Sequence, residues 1–95
     1  MNVKDAIKIA IEYGADIFKS ENAENIGLEE VMFDEHKNIW DVTIGFSRPW
    51  DYSKQGIFLG FQQQQENPKR QYKIVQVDNE SGKVISIKMR EIKNE

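Results

Sequence analysis

The sequence predicts an α+β domain: one N-terminal helix packed on a four-stranded antiparallel meander sheet. Three observations predict it. Apolar residues recur at three- and four-residue steps near the N-terminus, through Val3, Ala6, Ile7, Ala10, Gly14 and Ile17. Trp40, Val42, Ile44 and Phe46 then alternate with Asp41, Thr43 and Gly45, the period of a half-buried strand. Near the C-terminus, two β-branched runs flank Asp78-Asn79-Glu80-Ser81-Gly82, a hairpin signature.

The helix is expected over about 3–19, with Asn2 as its cap and Asp5 in the first turn, where the helix dipole favours negative charge. Phe18 flanks the apolar stripe, and Lys4, Lys8, Glu12, Asp16 and Lys19 fall mostly outside it. Gly14 costs about 1 kcal/mol in a helix interior relative to alanine, which points to a close approach between helix and sheet.

Residues 20–27 are polar, end in Gly27 and read as a linker. A first strand follows over 28–35, with Val31 and Phe33 on one side and Glu30, Met32 and Asp34 on the other. Residues 34–38 make a hairpin turn into the Trp40 strand, whose four large side chains should face the helix. Pro49 ends that strand. The stretch up to Lys69 holds one short apolar run, Ile57-Phe58-Leu59-Gly60-Phe61, between polar segments. A structureless loop of that length is unusual in a small domain. Either it contains a short element or a partner orders it.

In the closing hairpin, Gly82 can supply a positive φ, while Asp78 and Asn79 can bond their own backbone. Ile85, Ile87 and Met89 share one face of the last strand; Val84, Ser86, Lys88 and Arg90 share the other. The strand before it is apolar on both sides, Val75 and Val77 against Tyr72 and Ile74, so it should be central, with its far face covered or binding something. A short charged tail follows Glu91.

Ninety-five residues make one domain, 1–95, with a long insertion at about 48–69. Such a chain buries roughly 60–65% of its unfolded surface, enough for a single modest core. Hydrophobic residues at 39% and charged residues at 31% fit a soluble globular chain. No cysteine is present, which excludes disulfides and thiolate metal sites and makes a cytoplasmic, reducing location the expectation. Lys4, Asp5, Lys8 and Glu12 interrupt any signal-length apolar core, and no run approaches the ~20 apolar residues of a membrane span. Residues 1–47 hold four lysines against ten carboxylates, or −6; residues 48–95 hold nine Lys and Arg against six carboxylates, or +3. That asymmetry favours a charged protein partner over nucleic acid.

Catalysis is not expected. His36, the only histidine, sits in a turn without convergent ligands. Glu29, Glu30, Asp34, Glu35 and Asp41 are spread along strand and turn rather than held as a pair in a cleft. Ser47, Ser53, Ser81 and Ser86 lack nucleophile context, and no phosphate loop or dinucleotide fingerprint appears. No catalytic residue, metal or cofactor is implied. The binding candidates are Arg48, Trp50, Asp51 and Tyr52, stiffened by Pro49, with Phe58 beyond them; Trp, Tyr and Arg bury much surface and keep a polar handle. Trp50 capping the end of the core is the competing reading. Lys73, Lys88 and Arg90 are expected to line one sheet face with Ser86 and to suit an acidic protein partner.

The alanine-bearing helix (Ala6, Ala10), Ile-Gly-Leu-Glu-Glu-Val at 26–31, the Trp40 strand and the Tyr-x-x-x-x-Val-Asp-x-x-Ser-Gly-x-Val hairpin at 72–84 resemble PepSY-type and cystatin-like small domains. The resemblance implies a two-layer, non-enzymatic domain that binds or restrains peptidases or other partners. The insertion at 48–69 departs from the minimal pattern, so it names no partner.

The expected function is therefore a protein-binding module, of inhibitor or immunity type, docking through the open sheet face and residues 48–61. Two alternatives stand beside it. One is a self-associating dimer. The other is a small-ligand domain with Tyr13, Phe18, Trp40 and Phe46 lining a pocket between helix and sheet.

Overall fold

Asn2 starts the helix by a reciprocal cap. Its side-chain oxygen accepts from the Asp5 amide at 2.8 Å, and the Asp5 carboxylate accepts from the Asn2 amide at 3.3 Å. The computed structural model describes residues 1–49 and 70–90, and α1 runs Val3–Ile17. Ala6, Ala10 and Gly14 are its buried positions. Their four-residue spacing makes a ridge of small side chains against the sheet. A methyl group at Gly14 would run into Ile44 Cδ1, so this glycine sets how closely the helix sits.

The chain leaves α1 through a 3-10 turn, Lys19–Glu21, with Asn22 left-handed at φ 54°. It enters β1, Glu24–Asp34, four residues earlier than the polar composition predicts. The linker expected at 20–27 is thus partly strand. Asn25 has φ 56°, and the β1 register shifts between Glu24 and Gly27 and again between Leu28 and Glu30. These irregularities erase the period-2 pattern from an exposed edge.

β2, Ile39–Ser47, pairs with β1 on one side and with β3, Gln71–Asp78, on the other; β4, Val84–Met89, completes the antiparallel order β1-β2-β3-β4. β2 is more buried than its alternation implies: Thr43, Gly45 and Ser47 are buried along with the apolar residues between them, so from Val42 onward the strand is covered on both faces rather than half-buried. Val42, Ile44 and Phe46 are fully buried; Val42 and Ile44, with Val75 and Val77 of β3, form one core cluster with Ala6 and Ala10. Phe18 stacks on Phe46 at 4.7 Å. β3 is central, as its two apolar sides imply.

The two tight turns are built by carboxylates. Asp34 accepts from the His36 and Lys37 amides at 3.0 and 3.1 Å. Asp78 accepts from the Ser81 amide and hydroxyl, both at 2.8 Å, and Gly82 takes φ +75°. The Ser81 amide, then its hydroxyl, hold the Asp78 carboxyl below its ordinary range. The ionised form is favoured by folding, so its contribution is present above about pH 4 and is lost as pH falls through the lower folded-state value. Urea midpoints between pH 2 and 5 should fall less steeply with acid for Asp78→Asn than for wild type.

Asn79 departs from expectation. Instead of bonding its own turn, it ties the two hairpins together. Its side-chain oxygen accepts from Trp40 Nε1 at 2.8 Å, its amide nitrogen donates to Asn38 Oδ1 at 3.0 Å, and its backbone amide donates to the Asn38 carbonyl at 3.1 Å. Asn79→Ala leaves a part-buried indole N–H without this acceptor and should cost about 1–2 kcal/mol in denaturant unfolding.

Candidate functional site

A single helix is ~10–12 Å across, and neighbouring strands lie ~4.8 Å apart. One helix therefore covers about three of four strands. Here α1 lies over β1, β2 and β3 and reaches β4 least. The uncovered strip is an open groove of about 420 Å³. Among the described residues, Tyr13, Ile17 and Phe18 form its helical wall, and Lys73, Ile87 and Met89 face them from the sheet. Tyr13 is 40% exposed, Ile17 43%, Ile85 53% and Met89 70%, so four large apolar side chains along one groove meet solvent. The Lys73 ammonium lies 5.8 Å from the Phe18 ring centroid and puts a positive charge in this apolar setting.

The register explains why both Val84 and Ile85 line the groove. Val77 pairs with Val84 and Gln76 with Ser86, leaving Ile85 as an extra residue in a bulge.

The same register corrects the expected basic face. Lys73 pairs with Met89 and lies on the helix side, whereas Lys88 pairs with Ile74 on the far side. Lys73 is therefore separated from Lys88 and Arg90. Ser86 does lie on the far face, where its hydroxyl donates to Gln76 Oε1 at 2.6 Å and Gln76 Nε2 donates to Asp41 at 2.8 Å.

That far face is braced rather than openly apolar. Arg90 of the segment after β4 reaches Glu30 of β1 at 3.1 Å, crossing the strands between them. Thr43 of β2, the cross-strand partner of Glu30, is only 3% exposed. Arg70 meets Glu29 at 3.5 Å and donates to the Asn25 carbonyl at 2.8 Å. Gly45 makes room for this pair: a Cβ there would lie 2.7 Å from Glu29 Oε2 and 3.1 Å from Arg70 Nη2.

Arg48 is half-buried and donates to Glu21 at 3.1 Å, fastening the end of β2 to the turn after α1. Trp50, Asp51, Tyr52 and Phe58, and most of the insertion, lie outside the described residues. The four aromatics expected to share a pocket do not converge. Tyr13 and Phe18 wall the groove, Phe46 is buried under Phe18, and Trp40 sits six residues away along β2 against Phe33, at 4.7 Å.

A second recess of about 460 Å³ lies beside the β1–β2 turn, near Met32, Phe33, Asp34, Glu35, His36 and Asp41. Among the described residues, no group of three or more His, Cys, Asp or Glu is placed to hold a metal, and no helix is long and apolar enough to cross a membrane.

Comparison with known proteins finds no matching family model, no matching curated protein and no matching solved structure.

Proposed function

We propose that this protein is a non-enzymatic protein-binding module that docks its partner in the groove between α1 and β4. The carrying observation is the exposed apolar line of Tyr13, Ile17, Ile85 and Met89 beside a strand that pairs, among the described residues, with β3 alone. Exposed apolar surface beside an unpaired strand edge is costly to leave in water and is a usual starting point for protein contacts. The pairing of Glu29 with Arg70 and of Glu30 with Arg90 supports a structural use of these carboxylates. An inhibitor or immunity role, in which the module restrains a second protein, fits this reading. A reducing, cytoplasmic setting fits the cysteine-free chain.

The test is affinity capture with wild type, Ile85→Glu, Met89→Glu and the off-groove control Met32→Glu, followed by calorimetry with the purified partner. The partner should bind wild type and Met32→Glu and be lost from both groove variants. Equal binding by all four removes the groove from the reading. A wild-type dimer in sedimentation that Met89→Glu dissociates would assign the groove to a second copy instead.

A further inference from the structure

Resting on the docking reading, we infer that the groove takes an extended peptide segment that adds to the sheet beside β4, with apolar side chains toward α1 and acidic side chains toward the opposite face.

The backbone of β4 is oriented for this. The Arg90 amide donates to the Tyr72 carbonyl at 3.1 Å, and N–H directions alternate along an antiparallel strand. The Ile87 and Met89 amides therefore point away from β3, toward an incoming strand. Added strands carry side chains alternately on the two faces. On the α1 side they meet Tyr13, Ile17, Ile85, Ile87 and Met89. On the far side they meet Ser86 and Lys88.

Charge selects the composition of the far side. From Ser81 to Arg90 the chain carries Lys83, Lys88 and Arg90 and no acidic residue. Glu30 already engages Arg90, which makes Lys88 the main cation on the far face of this edge. On the α1 side the lining is mostly apolar, and its cation, Lys73, already lies over the Phe18 ring, which favours apolar side chains there. The other sheet edge has the opposite character. β1 carries four carboxylates and no basic residue of its own; Glu29 and Glu30 are engaged by Arg70 and Arg90, which leaves Glu24 and Asp34 as its acidic ends, and two register shifts break its ladder. An acidic strand is repelled there and attracted at β4.

The probe is an acetylated, amidated Glu-Val-Glu-Leu-Glu-Val-Glu peptide, titrated into the 15N-labelled full chain. Three controls accompany it: the same peptide with lysine for glutamate, and two versions N-methylated at alternate residues in opposite phase. Saturable shifts should appear at the Ile87 and Met89 amides and along Tyr13–Ile17. The lysine peptide should bind about tenfold more weakly, a gap that narrows with salt. One N-methyl phase should bind and the other should not, because only one set of peptide amides faces β4. Lys88→Glu should weaken the acidic peptide several-fold without perturbing the fold.

No saturable shift at β4, or equal binding of the acidic and lysine peptides, overturns the inference. So does equal binding of the two N-methyl phases. If any of these occurs while the captured partner still depends on Ile85 and Met89, docking in the groove stands and strand addition falls. If the partner ignores those residues as well, both fall.

Discussion

Phe46→Ala is expected to lower the unfolding free energy by about 4 kcal/mol, read from urea denaturation. Phe46 is fully buried at the end of β2, and its ring stacks on Phe18 at 4.7 Å. Removing it takes away the transfer free energy of a benzyl group and leaves a void that a helix already seated on Ala10 and Gly14 cannot fill by moving inward. Domains of this kind have total stabilities of about 5–15 kcal/mol, so the variant would be near its folding threshold. The effect should reach the groove, because Phe18 stands on Phe46 and forms part of the groove wall. Amide shifts at Phe18 and Lys73 should therefore accompany the loss of stability. A cost below 1 kcal/mol would show that the helix end does not depend on this stack.

The second large effect is a coupling. Gly14→Ala should destabilise by about 2 kcal/mol, because overpacking outweighs the ~1 kcal/mol helix-propensity gain. The obstruction is one atom, Ile44 Cδ1. Ile44→Val removes that carbon and should itself cost about 1 kcal/mol. With the carbon gone, the added methyl has space. The double variant should be no less stable than Ile44→Val alone, a coupling of about 2 kcal/mol or more. Simple additivity in the four-corner cycle would mean that the helix shifts to accommodate the methyl.

Most of the architecture was legible because each element obeys its local chemistry. The Asn2 cap and the Gly82 turn appear in the fold as their residue types imply, and β2 lies where its alternation puts a strand, although its polar positions from Thr43 on are buried as well. The start of β1 was not legible, because bulges on an exposed edge dissolve the alternation that marks a strand. The cross-strand partner of Lys73 was not legible either, since register is decided by pairing and not by either strand alone. The groove was half legible. The shared side of Ile85, Ile87 and Met89 and the narrowness of one helix imply an uncovered strand. Which edge α1 leaves bare depends on side-chain packing across the whole sheet. Asn79 departs from its local signal because its turn chemistry suits a local bond, while the Trp40 indole supplies a donor that only the folded chain brings within reach.

The asymmetry between the two sheet edges bears on how the chain behaves at high concentration. β1, acidic and bulged, is a poor template for runaway stacking of copies. β4 is the vulnerable border, and the bulge at Ile85 together with Lys88 are its gatekeepers. Neutralising Lys88 would thus blunt selectivity for an acidic strand and, by the same stroke, remove a safeguard against precipitation, so that specificity and solubility share one side chain.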